Sequence, residues 1–312
     1  MGRVEELLAR QSGVVSRRQL VALGCAPNDV RRLLRRRELV ICSPGIYLDH
    51  TGDPTWLQRA WGAVLAVWPA ALCHESALQA AGAAGRRAAG PLIDVAVDRG
   101  RSPGPPPGVR LHRLADLDAK VLWQLSPPRV RVEEAAIDVA SETRDYFSAV
   151  AVLADAVQSR RTSATRLATA LDGRSRIAKR DFLGQVLADV GQGACSVLEH
   201  GYLTRVERPH GLPTARRQVR DSPRGAVYRD VVYVSLDRIV ELDGALFHDN
   251  ATDRDQDLER DLDVAVLGRV TVRVGWGQVF RRPCRTALRI GGWLRAAGWD
   301  GVPMRCPDCC GD

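Results

Sequence analysis

Lysine is nearly missing from this sequence. Only Lys120 and Lys179 occur, so 43 of the 45 basic residues are arginine. So strong a preference for arginine follows genomic base composition and carries no function by itself. The charge it leaves is informative. Forty-five basic residues against 37 acidic ones give +8 at neutral pH, with a sequence pI near 9.4. A basic balance favours polyanionic partners such as nucleic acid. Long apolar runs are missing too. The longest stretch without formal charge, Ala60–Cys73, contains Pro69 and is shorter than the roughly 18–20 residues of a membrane span. Acids and arginines run through the first 30 positions, which argues against a secretory signal and predicts a cytoplasmic protein. There is no phosphate-binding loop, no dinucleotide fingerprint and no G-x-S-x-G nucleophile turn. No internal repeat stands out. Eight cysteines in 312 residues do not amount to a disulfide framework in a cytosolic protein.

What is present is ordinary globular composition, 45% apolar and 26% charged, in a chain long enough for two to three domains. Residues 1–52 read as three short helices and a hairpin. Val4, Leu7 and Leu8 share a helical face. Ser16 with Gln19 forms a capping box, Gly24 ends that helix, and Pro27 suits the first turn of the next. On that third helix Val30, Leu33 and Leu34 share one face, and Arg31, Arg32, Arg35 and Arg36 point elsewhere. Leu39–Cys42 and Ile46–Leu48 flank Ser43-Pro44-Gly45 as strand, turn, strand. This order is that of a winged helix-turn-helix. From 14 to 50, seven arginines against Asp29, Glu38 and Asp49 leave a net charge of +4. The third-helix arginines are the candidate DNA contacts.

Residues 55–190 read as a mixed α/β middle region. Helices are expected at about 55–68, at Glu75–Ala84, and from Glu133 to Leu187 with a break near Asp172-Gly173. Strands are expected at Leu92–Val97 and Val109–Leu114. Residues 194–300 read as helix (Ser196–Arg208), strand (Tyr228–Val234), strand (Arg238–Leu242), acidic helix (Thr252–Leu267), strand (Val270–Val274) and helix (Cys284–Ala297). The fold class expected is therefore α/β and multidomain, with a Cys-containing tail at 301–312. Cys306-x-x-Cys309-Cys310 is one C-x-x-C pair, and structural zinc takes four ligands. Cys284 or a histidine could complete a set; alone, the pattern reads as a tail.

The chemistry concentrates in Tyr228-Arg229-Asp230 and Val240-Glu241-Leu242-Asp243-Gly244. Glu241 and Asp243 lie two apart, so their side chains leave one face of a strand. A short turn at Ser235–Asp237 makes the two strands antiparallel neighbours and brings Asp230 to the same sheet. Carboxylates gathered this way repel one another unless a cation or protons neutralise them. An all-oxygen set with open positions suits Mg²⁺ or Mn²⁺. Glu199 is a fourth candidate acid, and His248 could orient a phosphate or carry a proton.

These residues, together with Ser196–Glu199, Arg217-Gln218, Arg260-Asp261 and Val272-Arg273, resemble the very-short-patch-repair-like branch of the PD-(D/E)XK nucleases, the DUF559 family. The resemblance implies a restriction-endonuclease-like α/β domain over residues 194–300. It makes Asp230, Glu241 and Asp243 the metal ligands, and Glu199 and His248 catalytic partners. Gln218 and Arg260 become candidate DNA contacts. Asp243 stands where the wider superfamily has lysine.

The first segment is similar to the N-terminal domain of AbiEi-type antitoxins, the repressors of type IV toxin–antitoxin operons. The residues that carry this are Gly13–Leu20, the third helix and Leu39–Leu48. Cys73–Ala77, Asp94–Val97 and Arg110–Arg113 extend it into the middle region, where His112 is expected to be structural. The expected function is a DNA-binding protein with a metal-dependent endonuclease domain. The alternatives are an antitoxin-like repressor whose nuclease fold no longer cleaves, with a cognate toxin as partner, or a scaffold binding nucleic acid or toxin.

Overall fold

A computed structural model describes residues 2–84, 90–192, 196–220, 228–243 and 270–306. Chain contacts divide the protein into two compact units, Met1–Val139 with Ser159–Thr162, and Ala140–Gln158 with Ser163–Asp312. The architecture is mixed α/β. Among the described residues no helix is long and apolar enough to cross a membrane.

The first unit opens with α1 (Gly2–Arg10), β1 (Val14–Ser16), α2 (Arg17–Ala22), α3 (Pro27–Arg35), β2 (Val40–Ser43) and β3 (Ile46–Leu48). Ser16 ends β1 and caps α2. Its hydroxyl accepts from the Gln19 amide, and the Gln19 side chain accepts from the Ser16 amide. Pro27 starts α3, where its missing N–H costs nothing. Asp29 accepts from the Ala26 amide at 3.0 Å. Two turns need glycine: Gly24 between α2 and α3 has φ +87°, and Gly45 between β2 and β3 has φ +75°.

The sequence pattern showed no strand at β1. Three residues are too few for a visible alternation, yet they tie the unit together. Val14 and Val15 are both fully buried, on opposite faces. Val15 joins Val4, Leu20, Val30, Leu33, Leu39 and Tyr47 under the three helices. Val14 joins Ile46 and Leu48 against Trp61 and Leu65. The last two come from α4 (Trp56–Ala66), capped by Thr55 and Gln58. Gln58 also donates to the Ser12 carbonyl at 2.9 Å. The small sheet, ordered β1-β3-β2, is thus covered on both faces at β1 and β3, while β2 is exposed at Ile41 and Cys42.

The rest of this unit holds β4 (Ala71–Leu72), α5 (His74–Ala80), β5 (Ile93–Asp98), β6 (Val109–Leu114), α6 (Leu117–Lys120), β7 (Val121–Leu122), β8 (Arg129–Val130) and the start of α7 (Val132–Glu142). They form a five-stranded sheet ordered β6-β5-β4-β8-β7. The expected strands are β5 and β6, paired in parallel. The two-residue strands were beyond periodicity. His112 holds Asp94 at 2.9 Å and stacks on His74 with ring centroids 3.7 Å apart.

The second unit continues with α8 (Tyr146–Gln158), α9 (Ala164–Asp172), α10 (Arg180–Gln192) and α11 (Ser196–Gly201). The helix expected over Ser196–Arg208 instead loosens after Gly201 into a π turn (Tyr202–Glu207) and a 3₁₀ turn (Arg208–His210). Then come β9 (Arg216–Arg220), β10 (Tyr228–Tyr233), a 3₁₀ turn at Val234–Leu236, β11 (Arg238–Asp243) and β12 (Val270–Gly275). A π turn (Gly277–Arg281) and α12 (Pro283–Arg295) follow. The sheet order is β12-β11-β10-β9. The acidic helix expected at 252–267 lies outside the described residues.

Trp61 fills the gap between the small sheet and α4, so Trp61→Ala should cost about 3–5 kcal/mol. Ile41 is 63% exposed, and Ile41→Ala should stay within about 0.5 kcal/mol. Urea unfolding of both variants checks the contrast.

Candidate functional site

The antiparallel register of β10 and β11 sets the geometry. Val231 pairs with Val240 and Tyr233 with Arg238. The next step toward the open end therefore aligns Asp230 with Glu241. On one side, Arg229 pairs with Val219 and Val231 with Arg217, which aligns Gln218 with Asp230. On the other side, Glu241 pairs in parallel with Arg273, and Asp243 with Gly275. A row of positions, Gln218–Asp230–Glu241–Arg273, therefore crosses all four strands. Asp243 lies two residues further along the same face of β11.

Asp230 and Glu241 each have a visible tie. The Leu242 amide donates to Asp230 Oδ2 at 2.7 Å. Arg273 Nε approaches Glu241 Oε2 to 3.6 Å. All three acids are half-buried. Glu199 is half-buried on α11. His248 and Arg260 lie outside the described residues, and Gln218 is placed here by its strand position alone.

The donor chemistry of the row, carboxylate oxygen, is right for a hard cation. Among the described residues, the sets that bring three ligand atoms within 4.8 Å of one another are not the acids of the row but Cys73, His74 and His112, and His210, Cys284 and Cys306.

The opposite face of the sheet is apolar, with Val231, Tyr233, Val240 and Leu242 buried. Within it lies a polar network. The Arg217 guanidinium donates to Glu207 at 2.8 Å. The Tyr233 hydroxyl donates to the same carboxylate at 3.4 Å and meets the Tyr202 hydroxyl at 3.1 Å. Burial pushes both phenols up. Burial also raises the Glu207 carboxyl above its ordinary value, against the pull of Arg217.

Sequence reading missed a set of cations beside the row. A groove of about 140 Å³ between β12 and α12 is lined by Arg273, Arg282, Arg285 and Arg289, with Gln278 and Thr286. Arg282, Arg285 and Arg289 are exposed. Among the described residues none of these three has a carboxylate within 4 Å. The signal was their spacing, three then four residues, which puts them on one helical face.

In the N-terminal segment, Arg31, Arg32, Arg35 and Arg36 are all exposed. Arg32 pairs with Asp29 at 3.3 Å, and Arg36 with Glu38 at 3.7 Å. Arg31 and Arg35, one helical turn apart, have no acidic partner among the described residues. Residues 3–48 match a known family. Its model is described as "Transcriptional regulator, AbiEi antitoxin". The match marks this segment as a regulator-type region. The solved structure of the Rv2827c protein from Mycobacterium tuberculosis is similar over 60% of this chain and 76% of that one. The identity is 23% and the TM-score 0.38. No curated protein matches the chain.

The Glu207 network gives two expected outcomes. Arg217→Met strands a buried carboxylate and should cost about 3–5 kcal/mol. The folded protein also binds the Glu207 proton more tightly than the unfolded chain does. That stabilisation is complete below pH 4.5 and is lost as pH rises through the folded value. The stability of wild type relative to Glu207→Gln should therefore fall as pH rises above 4.5. Urea titrations at a series of pH values read the sign.

Proposed function

We propose that the protein is a DNA-binding transcriptional regulator of the antitoxin type. Its first 48 residues would act as a winged helix-turn-helix. The observation that carries the reading is the arginine face of α3 inside the segment that matches the regulator family. Arg31 and Arg35 project from one side of a helix whose other side, Val30 and Leu33, is buried. A helix anchored this way can lie in a major groove with its arginines on phosphates or base edges. The turn between β2 and β3, at Pro44-Gly45, would act as the wing. A cognate toxin is the second partner of this reading, and a neighbouring nucleotidyltransferase-like toxin gene is its marker.

A metal-dependent endonuclease is the second reading, and one observation favours it. Asp230 and Glu241 occupy cross-strand positions with Asp243 on the same face, the arrangement that would present carboxylates to Mg²⁺ or Mn²⁺. The arginine groove beside β12 supports either reading, because exposed guanidinium groups bind phosphate without sequence preference.

Arg31→Ala/Arg35→Ala should weaken duplex binding and flatten its dependence on log salt by a slope of about 2. Fluorescence anisotropy over a salt series tests this, and an unchanged slope removes α3 from the interface. For the second reading, plasmid and single-strand cleavage with Mg²⁺ or Mn²⁺ should vanish in Asp230→Ala and Glu241→Gln. Millimolar metal should raise the melting temperature of wild type and that of Glu241→Gln much less. A wild type that cleaves nothing, with a melt indifferent to metal, leaves the regulator reading alone.

A further inference from the structure

Outside the acidic row, three chain segments meet at a cluster of soft ligands. His210 ends the 3₁₀ turn, Cys284 is the second residue of α12, and Cys306 lies beyond that helix. A ring nitrogen of His210 and the two sulfur atoms all lie within 4.8 Å of one another. The Cys284 and Cys306 Sγ atoms are 3.6 Å apart. That is far beyond a disulfide bond of about 2.05 Å. It is close to the edge of a tetrahedron with Zn–S bonds of about 2.3 Å, which is about 3.8 Å.

The histidine is held in the form a metal requires. His210 is fully buried. Its Nδ1 lies 2.9 Å from the Val206 carbonyl. A carbonyl only accepts, so Nδ1 carries the proton and the lone pair sits on Nε2. A backbone carbonyl fixing the tautomer from behind is the usual outer support of a zinc-bound histidine.

The surrounding chain is built to bring Cys306 in. The Met304 amide donates to the His210 carbonyl at 2.8 Å. Pro303 lies where a Cβ on Gly291 would come within 2.1 Å of it, so α12 needs glycine there. Two thiols and a buried imidazole on three separate segments are a soft donor set, suited to zinc and unlike the all-oxygen acidic row. Cys309 lies outside the described residues, but it follows Cys306 at the C-x-x-C spacing of paired zinc thiolates.

We infer that His210, Cys284 and Cys306 supply three of the four ligands of a structural zinc ion that pins the segment after α12 to the turn ending at His210.

The test uses the full-length protein, freed of any histidine tag and purified without chelator. Elemental analysis should find one zinc per chain in wild type, lost in Cys284→Ser and in Cys306→Ser. If those variants do not fold, wild type alone decides. Mercurial titration of its thiols should release zinc to a chromogenic chelator, and cobalt exchange should give a thiolate-to-metal charge-transfer band. Cys73→Ser and Glu241→Gln should keep their zinc. Folded wild type without zinc, and with a melt unmoved by added zinc, overturns the proposal. So does zinc that is lost in Cys73→Ser or Glu241→Gln and retained in Cys284→Ser.

Discussion

The pairing of β10 with β11 determines what the second unit can do. Each one-residue step along a strand moves a side chain to the other face. With Val231 opposite Val240, the apolar residues turn toward Tyr202 and the Glu207 network, and the acids turn the other way. A slip of one residue would turn one strand over against the other, burying Asp230 and exposing Tyr233 on β10, or burying Glu241 and exposing Val240 on β11. The buried network on the apolar face opposes such a slip, because Tyr233 and Arg217 both reach the Glu207 carboxylate only in this register. The polar atoms inside the sheet thus specify the alignment that the acids outside it depend on.

Two kinds of guanidinium serve different ends. Arg217 and Arg273 are committed to carboxylates. Arg31 and Arg35 on α3, and Arg282, Arg285 and Arg289 on α12, stand clear of acids among the described residues. In a chain almost without lysine, arginine number says little about binding. The arginines without acidic partners are the informative ones, since a paired guanidinium must give up its partner before it takes a phosphate.

The legible parts of the fold were the local ones. The Ser16–Gln19 cap, the Pro27 start of α3 and the strand at Val109–Leu114 depend on residues within a few positions of one another. The adjacency of Asp230 and Glu241 was legible because a short turn, closed by Asp237 at φ +50°, joins their strands. β1 was not, because Val14-Val15-Ser16 also reads as the lead-in to a helix cap. The soft cluster was only half visible. Cys306-x-x-Cys309 showed in sequence, but His210 and Cys284 join Cys306 through tertiary packing across nearly 100 residues. The arginine groove needed α12 to be set against β12 before its spacing meant anything.

Val14 and Val15, back to back on a three-residue strand, have a consequence for cooperativity. The segment that matches the regulator family ends at residue 48, but the sheet it contains finds its second apolar layer only in α4, at Trp61 and Leu65. Loosening α4 would uncover Ile46 and Leu48 on the hairpin that carries the proposed wing. The proposed DNA-reading surface and the helix after it therefore belong to one opening unit, with a shared free energy of local unfolding. A ligand or protein partner that grips or frees α4 would change how long the wing and α3 hold their shape, without touching either.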